Sequence, residues 1–201
     1  MKLKNSITTN LIVVITGFFV IAQYAPKITW GGLTLQENLF LIRKAIFPDG
    51  KIHGVYAGEW WRVVTVVLTH ANWVHLGFNM LVLFQLGNIV ERFYGKVRYG
   101  LILLGCACAA SMTCLLLTAA NIPSVGASGM IFGLFGVILA TGKGMGVDYS
   151  QVVVNVVLNL IFTFTASNIA WQAHLGGLVS GVLIGLILRA APRRRTPQIW
   201  E

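Results

Sequence analysis

Long apolar runs alternate with short polar stretches along this chain, and the runs are of nearly one length. Six stand apart, at about 7–24, 73–90, 99–120, 127–142, 150–167 and 170–190. Each approaches the roughly 20 residues that a helix needs to cross a hydrocarbon core. The pattern predicts an all-α membrane protein, a bundle of six transmembrane helices forming a single domain over 1–201. The first run lacks a small-residue cleavage site before a soluble domain, and more runs follow it. It is therefore expected to be retained rather than removed as a signal peptide. The largest piece outside the runs is 25–72, which mixes Trp30, Trp60, Trp61, Phe40, Phe47 and Tyr56 with polar residues. Aromatic rings favour headgroup depth, so this segment is expected to be a structured first extracytoplasmic loop at the interface. The fourth run is short and opens on small residues. A helix that starts below the membrane surface must be buried in protein or line a wet cavity, because lipid cannot satisfy its free amides.

Composition agrees with lipid as the main solvent. Of 201 residues, 56% are hydrophobic and only 10% charged, with a mean hydropathy of +0.77. A soluble domain carries about a quarter charged residues. Fifteen Lys and Arg against six Asp and Glu raise nucleic acid as a partner, but the basic residues sit in clusters between the runs. Lys2 and Lys4, then Arg92, Lys96 and Arg98, then Lys143, and finally Arg189, Arg193, Arg194 and Arg195 all fall on one side after six crossings. The loops near 121–126 and 166–170 carry none. This is a topology signal that puts both termini in the cytoplasm, with 191–201 a basic cytoplasmic tail, and it argues against nucleic acid. The first loop, with Lys27, Arg43, Lys44, Lys51 and Arg62 outside, weakens the count without reversing it. Cys106, Cys108 and Cys114 share one apolar run, where free cysteine acts as a small hydrophobe, so neither a disulfide framework nor a metal site is expected.

Candidate chemistry begins at Pro123-Ser124-Val125-Gly126-Ala127-Ser128-Gly129. Pro123 and Gly126 force a turn that sets Ser128 in the first turn of the fourth helix, where exposed amides favour negative charge. A hydroxyl there is placed to act as a nucleophile whose oxyanion meets its own backbone amide. Taken alone, the small residues also fit close helix packing and nothing more. His174 shifts the balance, since an ionisable residue inside a span is costly and suggests function. It precedes Gly177, Gly181 and Gly185, spaced four apart on one face, opposite Gly129, Gly133 and Gly136 of the fourth helix. Two glycine faces let backbones meet and would bring His174 to Ser128 as a general base. No third carboxylate is evident, and Phe132, one turn after Ser128, is placed to hold the imidazole by stacking instead. His75 and Asn79 share a face of the second helix at outward depth. Side-chain donors near an oxyanion are worth about 2.7–4 kcal/mol each. His70, His75 and His174 also raise a zinc site, but their spacing matches no helical His-Glu-x-x-His pattern.

With these residues in view, the chain resembles the rhomboid family of intramembrane serine proteases over nearly its whole length. The resemblance rests on Trp61-Arg62, on His70, His75 and Asn79, on Glu91-Arg92, on Gly126-Ala127-Ser128-Gly129, and on Ala173-His174 followed by Gly177 and Gly181. It implies Ser128 as nucleophile, His174 as general base, and an oxyanion hole formed by His75, Asn79 and the Ser128 amide. It implies that Trp61 and Arg62 stabilise the first loop, and that no cofactor is needed. Substrates would be single-pass membrane proteins, cut within or beside the spanning segment, with membrane lipids around the enzyme. The compact six-span form is similar to bacterial members, implying the plasma membrane with the site open to the extracytoplasmic side. Phe132 departs from the tyrosine that some members carry. A pseudoprotease would lack the serine or the histidine, and a transporter would be expected to carry intramembrane acids or paired charges. Lateral entry of a helical substrate requires a gate, expected at the fifth run, where Asn155 and Asn159 are the chief polar residues.

Overall fold

The computed structural model describes residues 6–25, 29–148, 150, 152–157, 159 and 170–190. Apolar runs that close their own backbone hydrogen bonds dominate it. The helices are α1 (Ile7–Tyr24), α2 (Leu35–Leu39), α3 (Arg62–Thr65), α4 (Trp73–Tyr94), α5 (Lys96–Leu117) and α6 (Ser128–Thr141). Residues 152–157 are helical (α7), and α8 runs over Trp171–Ala190. Four of these, α1, α4, α5 and α8, are long and apolar enough to cross a membrane. The chain is a helical integral membrane protein. The fifth expected run, 150–167, lies largely outside the described residues, and the basic tail at 191–201 lies wholly outside them.

Helix ends differ from the sequence expectation in ways that have causes. The second run was expected to stop near 90, yet α4 continues through Glu91 and Arg92 to Tyr94. Glu91 tolerates its place because its carboxylate caps α1. It accepts from the Ser6 hydroxyl (2.8 Å), the Ile7 and Thr8 amides (2.8 and 3.0 Å) and the Thr8 hydroxyl (2.8 Å). Orphan amides at a helix start are satisfied this way, and the negative charge suits the helix dipole. The polar link to α5 shrinks to Gly95, whose φ of 76° favours glycine. Arg92 thus falls in the last turn of α4, and Lys96 and Arg98 fall in the first turn of α5.

The first loop is built from short elements. Strands β1 (Thr29–Trp30) and β2 (Leu33–Thr34) pair antiparallel around Gly31-Gly32, both at positive φ, as a two-residue hairpin of type I′ requires. Thr34 and Glu37 form a capping box on α2. Strands β3 (Ala45–Ile46) and β4 (Ile52–His53) make a second antiparallel pair.

Helix α6 has 14 residues, or about 21 Å, well short of a hydrocarbon core of about 30 Å. It survives because protein surrounds it: Gly129 through Ile138 are all buried. Its closest neighbour is α8. A Cβ at Gly177 would collide with the Gly129 carbonyl, and one at Gly181 with the Gly133 carbonyl. On the other side of α6, a Cβ at Gly133 would strike the Cys106 side chain of α5. Backbone meets backbone across α6 and α8, which fixes the depth of every residue they carry.

Candidate active site

Ser128 is the first residue of α6, half-buried, and reached through Gly126 at a φ of 115°. Two constraints make position 126 glycine. Its backbone lies in the left-handed region, and a Cβ would sit 2.8 Å from His75 Cε1 and 3.0 Å from His75 Nε2. That same point is 3.8 Å from Ser128 Oγ, so the His75 ring and the serine hydroxyl flank one small space.

His174 lies in the first turn of α8 and is 7% exposed. Its Nε2 is 2.7 Å from Ser128 Oγ, a hydrogen bond that joins residues 46 positions apart. Phe132, one turn after Ser128, stacks under the imidazole at 4.3 Å between ring centres and 11° between planes. Near-parallel stacking leaves the ring little freedom to swing away from the hydroxyl. Gly177 and Gly181 let α8 approach α6 closely enough for this contact.

His75 and Asn79 come from α4. The Asn72 side chain caps this helix by accepting the His75 amide at 2.9 Å, and the Ala71 amide points at His75 Nδ1 from 3.5 Å. With Nδ1 facing a donor, the ring proton belongs on Nε2, the nitrogen that faces the Gly126–Ser128 space. Asn79 Nδ2 donates to the His75 carbonyl at 2.8 Å, and its amide group has a second hydrogen to offer. His70 is fully buried, edge-on to His75 at 5.1 Å and to Phe19 at 6.4 Å. Burial, with the neighbouring His75 second, pushes His70 down to about 3, so it is neutral at physiological pH. In the sequence His70 stands only as part of a motif and as a weak zinc candidate with His75 and His174. Its support of His75 becomes visible once the 66–72 segment is folded.

Trp61 and Arg62 organise the first loop rather than the Ser128–His174 contact. Trp61 Nε1 donates to the Asn38 carbonyl at 3.0 Å, and its ring stacks on Trp30. Arg62, 0% exposed, donates from Nε to Glu59 (2.7 Å) and from Nη1 to the carbonyls of Glu37 (2.6 Å) and Phe40 (2.9 Å). Phe40 and Phe47 cover its guanidinium. Next to it, His53 lies between Glu59 on Nδ1 (2.7 Å) and Asp49 on Nε2 (3.0 Å). Carboxylates on both ring nitrogens hold both protons, so the hydrogen bonds to Glu59 and then Asp49 raise the His53 pKa. Burial pushes Glu59 up, but hydrogen bonds from His53, Arg62 and the Gly54 amide bring it below the usual carboxylate value. The Lys51 amide and His53 lower Asp49. Nothing in the sequence announced this cluster, because it exists only when β3 and β4 close.

A helical membrane protein with a serine at the head of a short buried helix, bonded to a histidine across a glycine interface, defines a recognisable class. The rhomboid domain family model matches residues 57–191, well over half of the chain, and the chain belongs to the rhomboid family. It is 35% identical over 147 residues to YdcA of Bacillus subtilis (strain 168), covering 71% of this chain and 74% of that protein. Rhomboid protease GluP of the same organism is 37% identical over 156 residues, covering 75% of this chain but 29% of its own length. RHOMBOID-like protein 4 of Arabidopsis thaliana is 34% identical over 174 residues, covering 83% of this chain and 42% of that protein. This chain therefore spans about three quarters of the first relative and less than half of the other two.

Proposed function

We propose that the chain is an intramembrane serine endopeptidase that hydrolyses peptide bonds in or beside the transmembrane segment of single-pass membrane proteins. The observation that carries this reading is the 2.7 Å contact between His174 Nε2 and Ser128 Oγ, with Phe132 stacked on the imidazole. A serine hydroxyl is a weak nucleophile until a neighbouring base takes its proton. His174, neutral in a buried setting, accepts that proton as Oγ attacks the scissile carbonyl. The carbonyl oxygen becomes an oxyanion, received by the Ser128 amide, His75 Nε2–H and the second amide hydrogen of Asn79. The imidazolium returns its proton to the leaving amine, and an acyl-enzyme remains on Ser128. Water, deprotonated by the same imidazole, then releases the carboxylate product and regenerates the hydroxyl.

Hydrolysis needs water beside lipid. Ser128 is half-buried, and residues 121–123 just ahead of it are exposed, which supports a polar approach from the loop side. In this reading the chain crosses the membrane six times, both termini are cytoplasmic, and the first loop and Ser128 face the extracytoplasmic side. Among the first-loop acids, Glu37 is bound to Thr34, while Asp49 and Glu59 are bound to His53. Their engagement supports a serine–histidine dyad held by stacking.

The test is a reporter with one transmembrane segment, reconstituted in liposomes with wild type or Ser128→Ala. Wild type is expected to cut within or next to that segment, and Ser128→Ala to cut at least about a thousandfold more slowly. Equal cleavage by both would overturn the assignment.

A further inference from the structure

The segment 118–127 connects α5 to the proposed nucleophile, and the first loop grips it at successive points. Leu41 and Ser124 form a two-way antiparallel bridge, with the Leu41 amide donating at 3.0 Å and the Ser124 amide at 2.7 Å. The Lys44 amide donates to the Ala120 carbonyl at 3.0 Å, and the Gly126 amide donates to the Val66 carbonyl at 3.2 Å. Between Leu41 and Lys44 in the chain stands Arg43. Its Nη2 donates to the Thr118 carbonyl at 2.8 Å and also to the Leu115 carbonyl. Those carbonyls belong to the last turn and cap of α5, where the chain leaves unpaired acceptors and the helix dipole favours a cation. The guanidinium carbon of Arg43 also lies over the Tyr56 ring, 5.9 Å from its centre. Cys114 Sγ meets Ser124 Oγ at 2.9 Å, tying α5 to the same segment.

We infer that Arg43 is a positioning residue for Ser128. It anchors the end of α5 to the first loop, so that the Leu41–Ser124 bridge forms in register and presents the Ser128 amide and hydroxyl to His75 and His174. This inference rests on the proposed protease reading and adds a residue that touches neither substrate nor the reacting atoms. Only three residues separate Ser124 from Ser128, and two of the grips, at Ser124 and Gly126, lie four and two positions before the nucleophile. A shift at that end is transmitted to the oxyanion donor, where a misplacement near 1 Å costs on the order of a hundredfold in rate.

The experiment measures labelling of Ser128 by a fluorophosphonate in liposomes, resolved into reagent affinity and maximal rate, well below each variant's melting temperature. Arg43→Ala is expected to lower the maximal rate by about tenfold or more with reagent affinity within about twofold. Arg43→Lys, which keeps the charge but not the fork, is expected to recover part of that loss. Thr8→Val, which weakens the Glu91 and Tyr99 contacts at the far end of the bundle, serves as a purely structural comparison and is expected to label at the wild-type rate. If Arg43→Ala fails to fold, Arg43→Lys and Arg43→Gln carry the measurement. Wild-type labelling with unchanged rates in the Arg43 variants would overturn the inference while leaving the protease reading intact. Absence of labelling in wild type would strike the protease reading itself, and the inference with it.

Discussion

Ser128 and His174 lie on different helices, yet their positions are set by residues that carry no chemistry. Gly177 and Gly181 decide how near α8 comes to α6, and Phe132 decides how the imidazole faces the hydroxyl. In the proposed dyad the stacking partner does the orienting that a carboxylate does in a triad, without placing a charged partner in the protein interior. Phe132→Tyr keeps the stack and is expected to retain activity within about threefold. Phe132→Ala frees the ring and is expected to cut kcat by about tenfold or more while KM changes little. Steady-state cleavage of a transmembrane reporter by both variants checks this, and full kcat in Phe132→Ala would contradict it. Both members of the pair could be found in the sequence because a small-residue helix start and an intramembrane histidine are each costly in lipid. His70 and Arg43 were harder to see. What lies against each is fixed only by folding, the His75 ring in one case and the end of α5 in the other.

At the level of elements, the α6–α8 interface and the first loop have different sensitivities. Gly181 has the Gly133 carbonyl directly against it, so Gly181→Leu must push the helices apart. Overpacking of this kind typically costs about 1–3 kcal/mol, more against backbone, and the expected result is a lower melting temperature with loss of cleavage. A thermal melt in detergent reads the first, the reporter assay the second. Arg62 is fully buried, so Arg62→Ala takes the donor from two carbonyls, leaves Glu59 only His53 and the Gly54 amide, and is expected to destabilise by about 3 kcal/mol. Chemical denaturation checks that figure. The His53 cluster adds a pH response. Because its folded pKa is raised, His53 contributes stability that is complete below about 6.5 and is lost as pH rises through the higher folded value. Asp49 and Glu59, both lowered, contribute above their ordinary values and fade in acid. Arg62 and Lys51 are the nearby basic side chains. Hydrogen exchange over residues 45–59, corrected for intrinsic rates, is expected to show protection falling from about pH 6 to about pH 9 in wild type and flat in His53→Gln. The same slope in both would remove His53 from the explanation. The loop's existence was legible from its aromatic and polar mixture, but its hairpins and charge cluster were not. Two-residue strands carry too little periodic signal to be seen before they pair.

For the molecule as a whole, hydropathy alone located α1, α4, α5 and α8, and it marked α6 as unusually short. What it could not supply was the reason a 14-residue helix is stable there, namely burial among α4, α5 and α8. Charge at helix ends also misled the boundaries, since Glu91 belongs to α4 as the cap of α1 and not to a polar loop. On the proposed reading, a bundle with its site on a buried short helix opens sideways to admit a substrate helix, which then unwinds locally to expose a carbonyl. Crosslinking α4 to the fifth apolar run is therefore expected to abolish cleavage of membrane reporters while leaving small reagents able to reach Ser128, and full reporter cleavage after crosslinking would end the lateral-gate idea. The central claim is that Ser128 is a nucleophile activated by His174. Mass spectrometry of the protein after fluorophosphonate treatment in liposomes tests it most directly. One adduct is expected, on Ser128, and it disappears in His174→Ala while that variant remains folded. An adduct on another residue, or labelling of Ser128 undiminished without His174, would contradict it.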